Sequence, residues 1–314
     1  AIGESNPNQY FAQLYADPDP QREPFSHGHQ MNCHYTSRNT LPNGEWANLV
    51  EIKNTGTDMS STASQMPRAV GLALASKLFR DVDELKQFKH LSDNGSEVCF
   101  CTIGDASTSE GHFWEAVNAA GVLQVPLVIF VWDDGYGISV PREYQTTKGS
   151  ISKALKGFEK EEGTNGFYIA PLKGWDYMSM VEVFNEGISL ARETHTPVIF
   201  HIEELTQPQG HSTSGSHERY KTRDRLQWEK ERDCLVKMKA WILENALADE
   251  ATLRRIETDA RNNVKEAKDK AWKEYQMPLK ELTQKSSEVV DALIPDNPEH
   301  EEELRKISKD LRSL

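Results

Sequence analysis

Val98-Cys-Phe-Cys-Thr-Ile-Gly-Asp-Ala-Ser-Thr-Ser-Glu-Gly111 is the stretch that decides the fold. Its first six residues form an apolar run of strand length, and the small and polar residues from Gly104 to Gly111 end that run. A second apolar run, Pro126-Leu-Val-Ile-Phe-Val131, ends in Trp132-Asp-Asp-Gly-Tyr-Gly-Ile-Ser139. Between them, from Glu110 to Gln124, Phe113, Ala116, Val117 and Ala120 recur at helical spacing. A strand–helix–strand crossover is right-handed and makes the two strands parallel, so both polar ends emerge at one edge of the sheet. Asp105 and Asp134 lie 29 positions apart and should meet there. That edge is where open parallel sheets bind ligands.

The neighbouring sequence repeats the alternation. Pro197-Val-Ile-Phe-His-Ile202 reads as a third strand. Pro67 starts a helix that buries Val70, Ala73, Leu74 and Leu78, and a further helix with Val181, Phe184, Ile188 and Ala191 begins after Asp176. Continuous apolar strands separated by helices imply an α/β fold, a parallel sheet with helices on both faces. After about residue 225 the texture becomes charged helix. One stripe is Cys234, Met238, Trp241 and Ile242; the next is Leu253, Ile256, Ala260, Val264 and Ala267. These are expected to pack on the main domain, with Pro278 ending them. Leu279–Leu314 then reads as a linker closing in a short helix through Leu304, Ile307 and Leu311.

The 314 residues suffice for a full core plus an appendage. A net charge of −13 argues against nucleic acid or an anionic membrane surface as the main partner, and no apolar run is long enough to span a bilayer. Of the four cysteines, Cys99 and Cys101 sit two apart in a strand and should face the same side as small buried hydrophobes. Cys33 and Cys234 add no metal-binding spacing. A reducing cytoplasm fits this usage.

Two carboxyl groups and a nearby carbonyl suit a hard, octahedral Mg²⁺ whose other ligands are diphosphate oxygens. Ala106 and Ser107 let the backbone approach such phosphates, and the helix start from Ser109 adds amide donors. An Asp after a strand is as often a turn or cap residue. The second acidic strand end, at crossover spacing, tips the reading toward a metal–phosphate site. No Gly-x-Gly-x-x-Gly follows a strand and no Walker A sequence occurs.

Gly104-Asp105 followed by Asp133-Asp134 resembles the thiamine diphosphate motif, which opens Gly-Asp-Gly and closes Asn-Asn. The runs 108–120 and 135–141 are similar to alpha subunits of 2-oxoacid dehydrogenases. Three further segments agree in order: His29-Gln-Met-Asn-Cys-His-Tyr35, Ser60-Ser-Thr-Ala-Ser-Gln-Met-Pro67 and Gly210-His-Ser-Thr-Ser214. The resemblance spans about residues 10 to 275. It implies a thiamine diphosphate-binding domain over 1–224, a helical extension over 225–278, and a linker with a short helix over 279–314.

The reaction implied is decarboxylation of a 2-oxoacid with acyl transfer to lipoamide. The partners implied are a beta subunit or beta half and a lipoyl acyltransferase component, in a dimer or heterotetramer. Asp105 and Asp134 would be metal ligands with the Tyr136 carbonyl. Ala106 and Ser107 would line the diphosphate, Ser60 and Thr62 the aminopyrimidine end, and His211 would act near the reacting carbon. Ser61, Ser64 and Gln65 are read either as a potassium site or as caps of the following helix. Ser212 matches a serine phosphorylated in mitochondrial relatives, or is a plain loop hydroxyl. Other readings are a transketolase-like or acetoin-cleaving enzyme, and a non-catalytic assembly module of the same fold.

Several residues depart from the family pattern. Ala106 replaces a glycine, a mild change if the backbone there avoids positive φ. Asp134 replaces asparagine and sets a full charge beside the diphosphate. Two unit charges about 4 Å apart interact by roughly 4 kcal/mol at an effective dielectric near 20. Thr62 stands where branched-chain enzymes carry a larger apolar side chain. Trp132 occupies the place of a phosphate-binding arginine, and Gln207-Pro208 that of a Tyr-Arg pair. A second Tyr-Arg pair of the family would precede Ala1, which suggests a piece of a longer protein, with the tail after residue 279 suited to a fusion junction.

Overall fold

The structure, a computed structural model, describes residues 5–56, 61–208 and 217–313. In chain order the helices are α1 (Pro7–Leu14), α2 (Gln65–Asp81), α3 (Gly111–Leu123), α4 (Ile151–Ala154), α5 (Tyr177–Thr194), α6 (Arg223–Arg232), α7 (Cys234–Glu244), α8 (Glu250–Leu293) and α9 (Glu301–Ser313). The strands are β1 (Cys99–Gly104), β2 (Leu127–Trp132), β3 (Tyr136–Gly137), β4 (Val140–Pro141), β5 (Tyr168–Lys173) and β6 (Val198–Glu203). The chain divides into two units. One comprises Ala1–Arg38, Lys53–Thr57 and Arg254–Leu314; the other comprises Asn39–Ile52 and Asp58–Leu253.

The second unit is the α/β part. Its four-stranded sheet runs β1-β2-β6-β5 with every pairing parallel. All three apolar runs of the sequence are strands, and the helix between the first two is α3. β5 was not expected. Pro171 interrupts its apolar run, and a proline is tolerated in a sheet only where its missing N–H costs little; among the described residues β5 is an edge strand, paired only with β6. One face of the sheet packs Cys101, Ile103, Ile129, Val131 and Ile199 against α2, α3 and α4 through Met66, Ala73, Phe113, Val117 and Ile151. The other packs Val128, Phe200 and Ile202 against α5 through Val183, Phe184, Ile188 and Ala191. Cys99 and Cys101 do face the same side, and burial pushes the Cys99 thiol up to about 11.

Helix ends explain much of the connectivity. α2 starts at Gln65 rather than at Pro67, leaving the proline in the first turn, where no backbone N–H is needed. α3 and α5 end on left-handed residues, Gln124 and His195. Lys77 Nζ donates to the Leu123 and Gln124 carbonyls at the end of α3. Arg80 does the same for α5, donating to Arg192 O and Glu193 O while Nη2 also reaches Gly95 O. A cation on terminal carbonyls satisfies orphan acceptors and opposes the helix dipole. Arg80→Met should therefore lower the unfolding free energy by about 1–3 kcal/mol, read by urea titration. A change within about 0.3 kcal/mol, well below one net hydrogen bond, would refute the capping role.

In the other unit the expected end at Pro278 is corrected. α8 runs through it from Glu250 to Leu293, so residues 279–293 are helix rather than linker. Pro278 is exposed, so the carbonyl it leaves without a donor can turn to water. The helix beyond it is held by α9, where Ser308 Oγ donates to Ser287 O and Arg312 Nε to Ser287 Oγ. The stripe expected to pack along α8 is buried only at its end. Ala267 is covered, while Ile256 and Val264 are about half exposed. The Tyr15 ring packs tilted against Trp272, with ring centroids 5.0 Å apart. The His29–Tyr35 segment is tied to α1 through Gln13, which donates to His34 O and accepts from Cys33 N.

Candidate active site

β1 and β2 pair in register from Cys99↔Leu127 to Gly104↔Trp132, which brings the residues after each to the same level. Asp105 N donates to Trp132 O at 3.1 Å, carrying the ladder one step past the strands. Asp105, Asp133 and Asp134 thus gather at one edge, and all three are buried. Asp105 Oδ2 makes no hydrogen bond among the described residues. Burial pushes the Asp105 carboxyl up to about 7, with the charges of Asp133 and Asp134 pushing the same way. A buried carboxylate oxygen that lacks a donor and faces two other acids is placed to take a cation.

Asp134 continues into a tight turn, where its Oδ1 accepts from Tyr136 N at 3.2 Å. Tyr136 opens the β3–β4 hairpin opposite Pro141, at a non-hydrogen-bonded position of the ladder beside the Arg142 N to Gly135 O bond, so its carbonyl is not used in the hairpin. Two carboxylates and that carbonyl make an oxygen-only donor set of the kind Mg²⁺ takes. The residues present fit a divalent cation.

Ala106 and Ser107 begin a 3₁₀ turn over Ala106–Ser109, and Ala106 is not among the residues with positive φ. The alanine is therefore unstrained where the motif usually has glycine. Its methyl instead lies against Gly137, where an added Cβ would stand 2.8 Å from Ala106 Cβ and closer still to the flexible end of the Gln145 side chain. Gly137→Ala should then cost about 1–3 kcal/mol, and Ala106→Gly in the same chain should recover much of it. Thermal unfolding of the single and double variants reads this. No recovery would mean that the side chain of Gln145, the other neighbour, sets the penalty.

Thr62 is exposed just before α2. Ser64 precedes α2 without a side-chain cap, and Gln65 Nε2 donates instead to Thr102 O at 3.0 Å, so these residues do not cap the helix with their side chains. Ser60, His211 and Ser212 lie outside the described residues.

The structure adds residues that sequence reading missed. Asp133 is held by three neighbours. Its Oδ1 accepts from Gly135 N at 2.8 Å, and its Oδ2 meets Arg142 Nη1 and His201 Nε2, both at 2.9 Å. Burial opposes ionisation of Asp133, but His201 and Arg142 outweigh it and hold the carboxyl below its usual range. His201, fully buried in β6, is held at its other nitrogen by Ser152 Oγ at 2.9 Å.

Behind the turn lies α6. Arg225 Nη2 donates to Asp134 O at 2.8 Å, and its Nε bonds Glu229. Glu229 also takes the buried Lys221 on both oxygens, and Lys221 lies over the Tyr136 ring at 5.0 Å. Trp132, at the end of β2, stacks on Phe130. Arg142 was within reach of the sequence, six residues past Tyr136. His201 was not, because its partners are remote in the chain. Lys221 and Glu229 pair with each other across eight positions, but nothing local ties that pair to the distant Asp134–Tyr136 turn.

Comparison with known proteins gives this geometry a lineage. The Dehydrogenase E1 component family matches residues 27–280. The Pyruvate dehydrogenase E1 component subunit alpha of Rickettsia bellii is 28% identical over 205 residues, covering 65% of this chain and 56% of that protein. The mitochondrial 2-oxoisovalerate dehydrogenase subunit alpha 2 of Arabidopsis thaliana is 28% identical over 244 residues, covering 77% of this chain and 43% of that protein. The corresponding alpha subunit of Dictyostelium discoideum is 26% identical over 284 residues, covering 88% and 55%. The chain spans about half the length of the curated relatives it matches. With the family matched over most of the chain and the two acidic strand ends meeting at one sheet edge, the chain belongs to the Dehydrogenase E1 component family.

Proposed function

We propose that this chain supplies the diphosphate-and-metal half of a thiamine diphosphate site in a 2-oxoacid dehydrogenase. The observation that carries the proposal is the buried Asp105 oxygen without a hydrogen-bond donor, placed beside Asp133 and Asp134 at the ligand edge of the sheet. Asp105, Asp134 and the Tyr136 carbonyl hold Mg²⁺, and Ala106 and Ser107 line the diphosphate. Ser60 and Thr62 belong to the aminopyrimidine end, His211 lies near the reacting carbon, and Ser61, Ser64 and Gln65 are the residues that would hold a K⁺, in keeping with the absence of a side-chain cap bond from Ser64. When bound, thiamine diphosphate supplies the nucleophilic carbon and the electron sink that oxoacid decarboxylation needs.

The chain's own residues do the positioning. Asp133, locked by His201 and Arg142, fixes the turn that presents Asp134, and Arg225 holds that turn from behind through the Asp134 carbonyl. The partners are a beta subunit or beta half that completes the pocket and a lipoyl acyltransferase component that receives the acyl group, in a cytoplasmic oligomer. Among the described residues no helix is long and apolar enough to cross a membrane.

Calorimetry with thiamine diphosphate and Mg²⁺ tests the reading. Saturable binding that chelation of the metal abolishes is expected. An absence of heat at millimolar cofactor, with the partner subunit present, would favour a non-catalytic module of the same fold.

A further inference from the structure

The ligand edge is crowded with acids. Asp105, Asp133, Asp134 and Glu203 all stand at the ends of β1, β2 and β6. A diphosphate adds more negative charge, and one divalent cation does not neutralise the sum. This inference rests on reading the edge as a diphosphate site, and asks which side chain supplies the missing positive charge.

Most cations nearby are already committed. Lys221 is 1% exposed and gives its ammonium to both oxygens of Glu229. Lys173 is paired with Glu204. Arg225 divides its fork between Glu229 and the Asp134 carbonyl.

Arg142 is different. Only its Nη1 is held, 2.9 Å from Asp133 Oδ2 and 3.7 Å from Glu203 Oε1. Its Nε and Nη2 make no hydrogen bond among the described residues, and the side chain is 37% exposed. Its backbone N–H donates to Gly135 O at 3.0 Å, which keeps it beside the Asp-Asp-Gly turn. Asp133, His201 and Glu203 bring their ligand atoms within 4.8 Å of one another, a spacing suited to a cation, and the cation seated among them is this guanidinium.

We propose that Arg142 is a diphosphate-binding residue. Asp133 and Glu203 form a bracket that fixes one nitrogen of the guanidinium, and His201 fixes the bracket. The Nε and Nη2 edge of the fork, whose two parallel N–H groups match a pair of phosphate oxygens, is left to the ligand. The charge of Asp105 is among those that raise the Arg142 pKa, in keeping with both lying at one edge. Removing Arg142 alone would strip Asp133 of a partner, so binding and folding must be separated.

The variants are Arg142→Met, Asp133→Asn, the double variant and Arg142→Lys, in the protein purified with any partner subunit it carries. Asp133→Asn removes the charge that Arg142 neutralises, so the double variant should unfold near the temperature of the Asp133→Asn single. Calorimetry then measures thiamine diphosphate and inorganic pyrophosphate, each with Mg²⁺, beside thiamine, which lacks the diphosphate. The double variant should bind both diphosphates about tenfold or more weakly than Asp133→Asn, with thiamine unaffected. Arg142→Lys, which keeps the charge but not the fork, should fall between Arg142→Met and the unaltered protein. Should the double variant fail to fold, Arg142→Lys carries the same comparison. Equal diphosphate affinity with and without the guanidinium overturns the assignment. An unaltered protein that binds neither diphosphate overturns the reading of the edge itself, and this inference with it.

Discussion

Asp105→Asn is expected to make the metal-free protein more stable at alkaline pH while removing its response to Mg²⁺. Burial, reinforced by Asp133 and Asp134, lifts the Asp105 pKa from 3.8 to about 7. A group whose folded pKa lies above its unfolded value contributes stability that is fully present below about 3.8 and is lost as pH rises through about 7. At pH 8 the ionised carboxylate therefore strains the metal-free fold by about 4 kcal/mol, the free-energy equivalent of the gap between its folded and unfolded pKa. Asparagine carries no such charge. Urea unfolding in the presence of a chelator should show the variant more stable at pH 8 and little different near pH 4. Mg²⁺ with thiamine diphosphate should raise the midpoint of the unaltered protein and leave that of the variant unmoved, since losing a direct ligand, the role proposed for Asp105, weakens cofactor binding by more than about a hundredfold. A variant less stable at both pH values would show that the carboxylate is a structural hydrogen-bond acceptor instead.

The meeting of Asp105 and Asp134 was legible in sequence because it follows from one local rule. Two apolar runs joined by a helix make parallel strands, and parallel strands end at the same edge. The helix α3 was legible for the same reason, its period being strong and its ends marked. The strand around Pro171 was not read at all, Pro278 was read as a helix end, and the two prolines sit in different settings. The first sits in an edge strand and the second on an exposed helix face, and in both places a missing N–H costs less than the surrounding pairing or packing contributes. The charge balance of the site was not legible. Trp132 in place of an arginine reads as a loss of positive charge, yet Arg142, Lys221 and Arg225 stand around the turn, and only folding brings the last two there. His201 reads as one polar residue in an apolar strand; its meaning depends on Ser152 and Asp133, 49 and 68 positions away.

Glu229→Ala is expected to have the largest effect of any substitution outside the acidic edge. The Glu229 side chain is 4% exposed and is the counter-charge of Lys221, itself 1% exposed. Removing one partner of a buried ion pair leaves the other charge uncompensated, at a cost of about 3–5 kcal/mol. The damage should reach the site, because the same carboxylate orients Arg225, whose Nη2 supports the Asp134 carbonyl. Arg225 also stacks on Trp228, 4.5 Å from the ring, so it will not leave altogether, but it loses the hydrogen bond that aims its fork. Lys221→Met with Glu229→Leu separates the two consequences. Replacing a buried pair by apolar residues of similar volume is often neutral or stabilising, so the unfolding midpoint should return most of the way. Cofactor affinity should stay about three- to tenfold below that of the unaltered protein, the worth of one charge-assisted hydrogen bond at its lower end. Glu229→Gln, which keeps an acceptor for Arg225 but not the charge for Lys221, should show the reverse, with stability lost and affinity largely kept. If stability and affinity fall and recover together across all three variants, the pair acts only through the fold, and the aiming of the Asp134 turn by α6 is refuted.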